Sequence, residues 1–585
     1  MTEAPKGEVF HLVLIKPSHY DDEGYPIRWL RSAIPSNTLA VLNGLGLDCA
    51  ERRSLGRDVE IVVSVYDETN TRIRPQRIAK QIRDNGGRGL VGMVGVQSNQ
   101  FPRAVDLARV FRAEGLQVCI GGFHVSGCLA MLPELPEDLR EAMDLGISLF
   151  AGEAEGRLEE LLQDAYRGEL KPLYNFLKDL PDLRGAPGPR LPASQVERTA
   201  GSTTSFDAGR GCPFECSFCT IINVQGHESR RRSADDVEKL IRHNLAQGVR
   251  NFFITDDNFA RNAEWEKILD RVIALREEGL KIKLTIQVDT MSHKIPRFIE
   301  KCGRAGVARA FIGMESIDPK ALAHTKKRQN RITEYRSMLQ QWREAEVMTL
   351  AGYILGFPSD TPESIARDIE IIKRELPIDL MEFFVLTPLP GSEDHQRLHK
   401  EGVWMDPDMN KYDTMHVTTA HAQMSPEAWM GAVDQAWKAY YTPEHIETVM
   451  RRAGGRGVSR RRTSLLWFYS CVAFEKIHPL DGGFLRLRSR RERRPSLPLE
   501  SRLIFYSRHA WRTFYNQARL LALVLKFRGV RKDIKRDPNY REYTDLALTP
   551  VEDPELAELE LFTQSASAQA AAAKAQTRSA AATAR

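Results

Sequence analysis

Cysteine is scarce in this chain. Eight residues in 585 are too few for a disulfide scaffold, so the fold has to rest on buried apolar cores. Charge of one sign is also lacking. Lys and Arg number 83 against 78 Asp and Glu, a net charge of +5, which gives no general attraction to nucleic acid. No apolar run approaches the roughly 18 residues of a membrane-spanning helix. The opening residues MTEAPKGEVFHLVLIKPSHY lack the basic, apolar and small-residue segments of a signal peptide. Free thiols suit a reducing compartment, so the expected location is cytoplasmic, including peripherally at the inner face of the membrane. What is present is 42% hydrophobic and 28% charged, enough for roughly three globular domains.

Residues 1–165 read as an α/β domain. Short apolar runs at Val9–Ile15, Val59–Val65, Gly89–Val96, Gln117–Gly122 and Leu145–Phe150 alternate with helical patterns such as Ala104–Phe111. That alternation predicts a doubly wound, Rossmann-like parallel sheet. Such sheets bind ligands beyond the carboxyl ends of their strands. Those ends here carry Ser98, the run Gly121-Gly122-Phe123-His124-Val125-Ser126, and Gly152-Glu153. Glycine lets a flat ligand approach the backbone. A nicotinamide dinucleotide is a poor fit, because no G-x-G-x-x-G follows the first strand.

Residues 166–200 lose periodicity and contain Pro172, Pro181, Pro187, Pro189 and Pro192, as an extended linker does. Then come Cys212, Cys216 and Cys219 on one short loop. Three thiolates there can hold three irons of a cubane cluster and leave the fourth open. The competing reading is a zinc site completed by His227. Strands are expected at Thr203–Asp207, Arg250–Thr255, Lys281–Val288, Arg309–Gly313, Thr349–Leu355 and Met381–Leu386. With helices between them, residues 201–400 predict a partial (β/α)6 barrel, whose site lies at the carboxyl ends of its strands. Ser233 followed by Asp236 signals the start of its first helix.

The motif C-x3-C-x2-C, with Phe218 before the last cysteine, resembles that of the radical S-adenosylmethionine enzymes. The glycine loops ahead of it resemble the cobalamin-binding domain of the cobalamin-dependent members. This resemblance covers about residues 9–400. It implies a [4Fe-4S] cluster on Cys212, Cys216 and Cys219, with S-adenosylmethionine beside Phe218, Asp256, Asn258, Glu315, Ser316 and Ile354. It also implies cobalamin beside Ser98, Gly121, Gly122, His124, Ser126, Gly152 and Glu153. The family's Gly-Gly-Glu is Asp256-Asp257-Asn258 here. The Asp-x-His-x-x-Gly motif is missing, so no histidine ligand to cobalt is implied. The chemistry implied is reductive cleavage of S-adenosylmethionine to a 5′-deoxyadenosyl radical, followed by methylation of an unactivated carbon or phosphorus in a small molecule or lipid. A flavodoxin or ferredoxin would supply electrons. The alternatives are a non-methylating oxidation or ring closure resembling the anaerobic magnesium-protoporphyrin ester cyclase, and a cobalamin or metal sensor that binds nucleic acid. No catalytic residue is singled out beyond the cluster.

Residues 401–545 read as helical and should select the substrate. Trp404, Trp429, Trp437, Tyr440 and Tyr441 suit either helical core or a cover for the barrel mouth. Arginine runs at Arg460–Arg462 and Arg488–Arg494, beside Trp467-Phe468-Tyr469, suit a solvated face, a membrane surface or a phosphate-bearing partner. Leu520–Val530 reads as an amphipathic or buried helix with basic ends, too short to span a bilayer. Residues 546–585 are expected to be a disordered tail; from Gln564 the chain is rich in Ala, Ser and Gln, has little to bury, and reads as disordered or as a frayed helix.

Overall fold

The computed structural model describes residues 8–453, 457–550 and 559–583. Two six-stranded parallel sheets dominate it. The first contains β1 (Glu8–Lys16), β2 (Val59–Asp67), β3 (Arg88–Met93), β4 (Gln117–Gly121), β5 (Ser148–Ala151) and β6 (Leu173–Asn175). Their order across the sheet is β2-β1-β3-β4-β5-β6. Side chains alternate along β1. Phe10, Leu12 and Leu14 join one core while Val13 and Ile15 join another, as a strand covered on both faces requires. β6 falls inside the stretch read as a linker. It is three residues long and follows Pro172, too short for a hydrophobic period to reveal.

The second sheet contains β7 (Thr203–Phe206), β8 (Asn251–Ile254), β9 (Lys283–Val288), β10 (Val307–Glu315), β11 (Met348–Leu355) and β12 (Leu380–Val385). They pair in chain order, giving the open barrel. Helix α1 (Asn37–Glu51), capped by Ser36 on Leu39 N–H, lies between the sheets and touches both β1 and β7. The first barrel helix, α2 (Ala234–Ala246), has its expected capping box of Ser233 and Asp236.

Helix α3 (Pro426–Tyr440) packs on β12. Trp429 donates to Leu355 O (3.1 Å), Tyr440 to Ile378 O (3.2 Å) and Tyr441 to Met381 O (2.6 Å). These aromatics are helical core, whereas Trp404 stands outside the helix and is exposed. Helix α4 (Val458–Ser470) packs against the long α5 (Arg502–Arg536). Near the end of the chain, α6 (Ala566–Thr583) is a packed helix, where a disordered stretch or a frayed helix was expected. Alanine has the highest helix propensity, Ala568 and Ala572 are buried, and Ser567 bonds Asp318 (2.9 Å). Residues 551–558 and 584–585 of that stretch lie outside the described residues, as do 1–7.

Candidate active site

The cysteine loop leaves the barrel just after β7. Gly211 takes φ +95°, and a Cβ there would fall 2.3 Å from Glu228 O, so the turn needs glycine. Backbone bonds from Cys212 N to Gly226 O (3.2 Å) and from Ser217 N to Thr325 O (3.1 Å) pin the loop. The three thiols lie within electrostatic reach of one another. Burial pushes Cys212 up, and Cys219 up to about 12. Thiols this reluctant to ionise become thiolates against a bound cation. Among the described residues no three His, Cys, Asp or Glu side chains converge as a single-ion site, and His227, the fourth ligand that zinc would need, is exposed. The donor set suits a multi-iron cluster instead, with one thiolate for each of three irons.

Beside the loop, Phe218 packs in one apolar group with Ile354, Ala321, Phe357, Phe384 and Leu386. Glu315 ends β10 at φ +62° and accepts from buried Lys327 at 2.6 Å. Lys327 Nζ also lies 5.6 Å from the centre of the Phe218 ring. Burial opposes the lysine's charge, but Glu315 and the nearby thiols raise its pKa above the ordinary lysine value. Ser316 Oγ accepts from Asp318 N (3.0 Å), closing the turn after β10.

Two expectations for the end of β8 need correction. Asp256 is turned into the protein. Its Oδ1 accepts from Ala208 N (2.7 Å) and Gly209 N (2.8 Å), and its Oδ2 from Asn262 (2.9 Å). Asn258 is held by Asp289, donating to it at 2.9 Å and accepting from its N–H at 3.3 Å. Asp257 is the member of the trio that lines the central cavity. Burial pushes its carboxyl up to about 7, against the pull of Arg210.

Facing the loop, the carboxyl ends of β3, β4 and β5 meet α1. Gly121, Gly122, Ser126, Gly152 and Glu153 line an apolar cavity of about 170 Å³ whose walls include Leu12, Leu14, Val41 and Leu42. It adjoins a larger cavity of about 530 Å³, where Ser98 and Asp257 are found, through the shared residues Asn37, Thr38, Gly95, Phe123, Arg210 and Gln225. An apolar slot at the switch point of the sheet, opening into a wider space, suits a large flat ligand with an aromatic tail. His124 is not part of either wall. It is 1% exposed, with Nδ1 on Ser98 Oγ (3.1 Å) and Nε2 on Asp138 (2.8 Å). Both ring nitrogens are engaged, so it acts as a structural residue rather than a ligand. Glu153 has a second task. With Glu155 and Asp207 it surrounds buried Arg210 at 2.6–3.1 Å, and it also takes Arg230. This cluster fastens the first sheet to the barrel.

The region after the barrel contributes Tyr412, Asp413, His478 and Asp481 to the larger cavity. No spacing pattern marked them. The His478 ring stacks 4.8 Å from Phe384, and burial lowers its pKa to about 4. Nδ1 accepts from Leu480 N at 3.3 Å, so the neutral ring carries its proton on Nε2, which is buried without a partner. The 486–494 arginines are not a free patch. Arg486 and Arg488 pair with Asp21, Arg488 also with Glu23, and Arg494 with Asp408.

Residues 208–372 match the radical SAM superfamily model. This part of the chain is a radical SAM domain. This superfamily uses S-adenosylmethionine and a [4Fe-4S] cluster. The chain is 25% identical over 377 residues to a bacteriochlorophyllide d C-8(2)-methyltransferase of Chlorobaculum tepidum, covering 60% of this chain and 78% of that one. It is 23% identical over 409 residues to the hopanoid C-2 methylase of Rhodopseudomonas palustris, covering 67% and 75%. Its fold is shared with the radical S-adenosylmethionine methyltransferase TsrM of Kitasatospora setae, at a TM-score of 0.53 and 15% identity over 75% of this chain and 90% of that one. That structure holds cobalamin and a [4Fe-4S] cluster.

Proposed function

We propose that this chain, with its radical SAM domain, is a cobalamin-dependent methyltransferase acting on an unactivated carbon, or phosphorus, of a small molecule or lipid. The observation that carries this reading is the joined cavity. It opens on the glycine loops of the first sheet and on Asp257 and Arg210 beside the cysteine loop. The names of the relatives and the cobalamin held by TsrM support it. When bound, the cluster with S-adenosylmethionine supplies one-electron bond cleavage, and the corrinoid supplies a methyl-carrying metal.

The residues of this chain position and enclose. Cys212, Cys216 and Cys219 would hold three irons. Phe218 and Ile354 would flank the adenine, with Ser316 on the adjoining turn. Glu315 and Lys327 form a charged pair beside them. Gly121, Gly122, Ser126 and Gly152 would cradle the corrinoid, with Ser98 at the rim of the larger cavity. No loop histidine would reach cobalt, because His124 is held on both sides. His478 Nε2–H and Asp481, both in the wall of the larger cavity, would help to orient a substrate. A small electron carrier of the flavodoxin or ferredoxin type would supply electrons.

The test is anaerobic turnover with S-adenosylmethionine carrying a labelled methyl group. Label should pass to the corrinoid and then to product. Substrate-dependent 5′-deoxyadenosine with no label in product overturns the methyltransferase reading and favours oxidation or ring closure.

A further inference from the structure

Helix α5 is apolar on two faces. One buries Phe505, Phe527 and Ile534 against the body of the protein. The other carries Leu503, Ile504, Trp511, Phe514, Leu521 and Leu525, each 54–82% exposed. At helical spacing these six fall within an arc of about 100°, with Ser507, Ala518 and Ala522 between them. No Asp or Glu occurs from Arg502 to Lys532. Arg519 and Lys526 run along one edge of the stripe, and Arg528 and Lys532 stand at its end. Among the described residues, no ion pair engages Lys526, Arg528 or Lys532.

What covers such a face follows from its chemistry. A small ligand needs a concave site, and this is the convex flank of a helix. A second copy would set one acid-free helix against another, cation facing cation. Trp511 and the neighbouring Tyr506 and Tyr515 combine an apolar ring with a polar edge, the composition favoured at the lipid–water boundary. Lysine and arginine beside an apolar stripe suit anionic headgroups. Among the described residues, no helix is long and apolar enough to cross a membrane, so the geometry is one of lying on the surface.

We propose that the outward face of α5 docks the protein flat on an anionic lipid bilayer. The test is cosedimentation of the full chain with vesicles. Binding is expected to phosphatidylcholine vesicles containing about one-third phosphatidylglycerol, and roughly tenfold less to phosphatidylcholine alone. The apolar variant Trp511→Ser/Phe514→Ser/Leu521→Ser should lose at least about tenfold in partitioning. The charge variant Lys526→Glu/Arg528→Glu/Lys532→Glu should lose as much on the anionic vesicles only. All six side chains point outward, so circular dichroism and unfolding temperature should match the parent. Failure of the parent to bind anionic vesicles overturns the proposal, as does equal binding by the parent and the charge variant. A parent that is dimeric without vesicles, and that the apolar variant makes monomeric, also overturns it, because the face is then a contact between copies.

Discussion

The two parallel sheets use the same strand–helix unit and end up with different interiors. In the first, β2 adds on one side of β1 and β3 on the other. Helices therefore cover both faces, both faces are apolar, and the cavity opens where the order reverses. In the second, each strand adds to the same side as the last, so the sheet curls and its inner face becomes a lumen. A carboxyl survives there. Glu382 on β12 is 0% exposed with both oxygens unpaired, and burial pushes its pKa up to about 8, so it stays protonated at neutral pH. The flat sheet offers backbone and apolar walls suited to holding a large ligand. The curled one concentrates polar and sulfur groups suited to reaction.

This division of labour breaks most sharply at the cysteines. Cys216→Ala should abolish cluster absorbance and lower reductive cleavage of S-adenosylmethionine by on the order of a thousandfold or more, while corrinoid binding by the first sheet persists. Loss of both functions together would mean that the sheets do not act separately. The converse variant is Leu42→Trp, which fills the apolar slot beneath α1. Overpacking of this kind costs about 1–3 kcal/mol, so corrinoid affinity should fall roughly 5- to 150-fold in equilibrium binding with cluster content unchanged. The join between the sheets is Arg210. Arg210→Gln leaves Glu153, Glu155 and Asp207 buried around a neutral group, and removing one partner of a buried pair costs about 3 kcal/mol or more. Thermal unfolding should fall clearly below the parent, and an unchanged midpoint would show that the cluster is not what joins them.

Much of this was readable from the residues. The six barrel strands and most of the first sheet show as apolar runs bounded by turns, and three thiols on one loop restrict the chemistry strongly. Other features depend on contacts between distant segments. Asp256 and Asp257 are neighbours at a strand end, and only the fold shows which one turns inward to Ala208 and Gly209. Lys327 meets Glu315 across a turn, and His478 reaches the cavity from a segment with no motif. The 486–494 arginines look like a free patch until Asp21, Glu23 and Asp408 come to meet them. Leu520–Val530 shows as a helix, but α5 runs from Arg502 to Arg536, and which of its two apolar faces is buried depends on the body it packs against.

The smallest effect expected is at the outer seam between the first sheet and the region after the barrel. His416 bonds Asp22 there at 3.1 Å and Asp413 at 3.0 Å. Burial alone would lower its pKa, but the two carboxylates raise it from 6.5 to about 10. A folded-state value above the unfolded one means that the folded form binds the proton more tightly. The stabilisation is therefore complete below about pH 6.5 and disappears as pH rises through about 10. Asp22 is 76% exposed, so water and salt screen the pair and keep its contribution small. Between pH 6 and 10, the unfolding temperature of the parent should decline more steeply than that of His416→Gln, and the difference should shrink in high salt. Parallel curves would show that the seam is held by the arginine pairs around Asp21 and Glu23 rather than by this histidine.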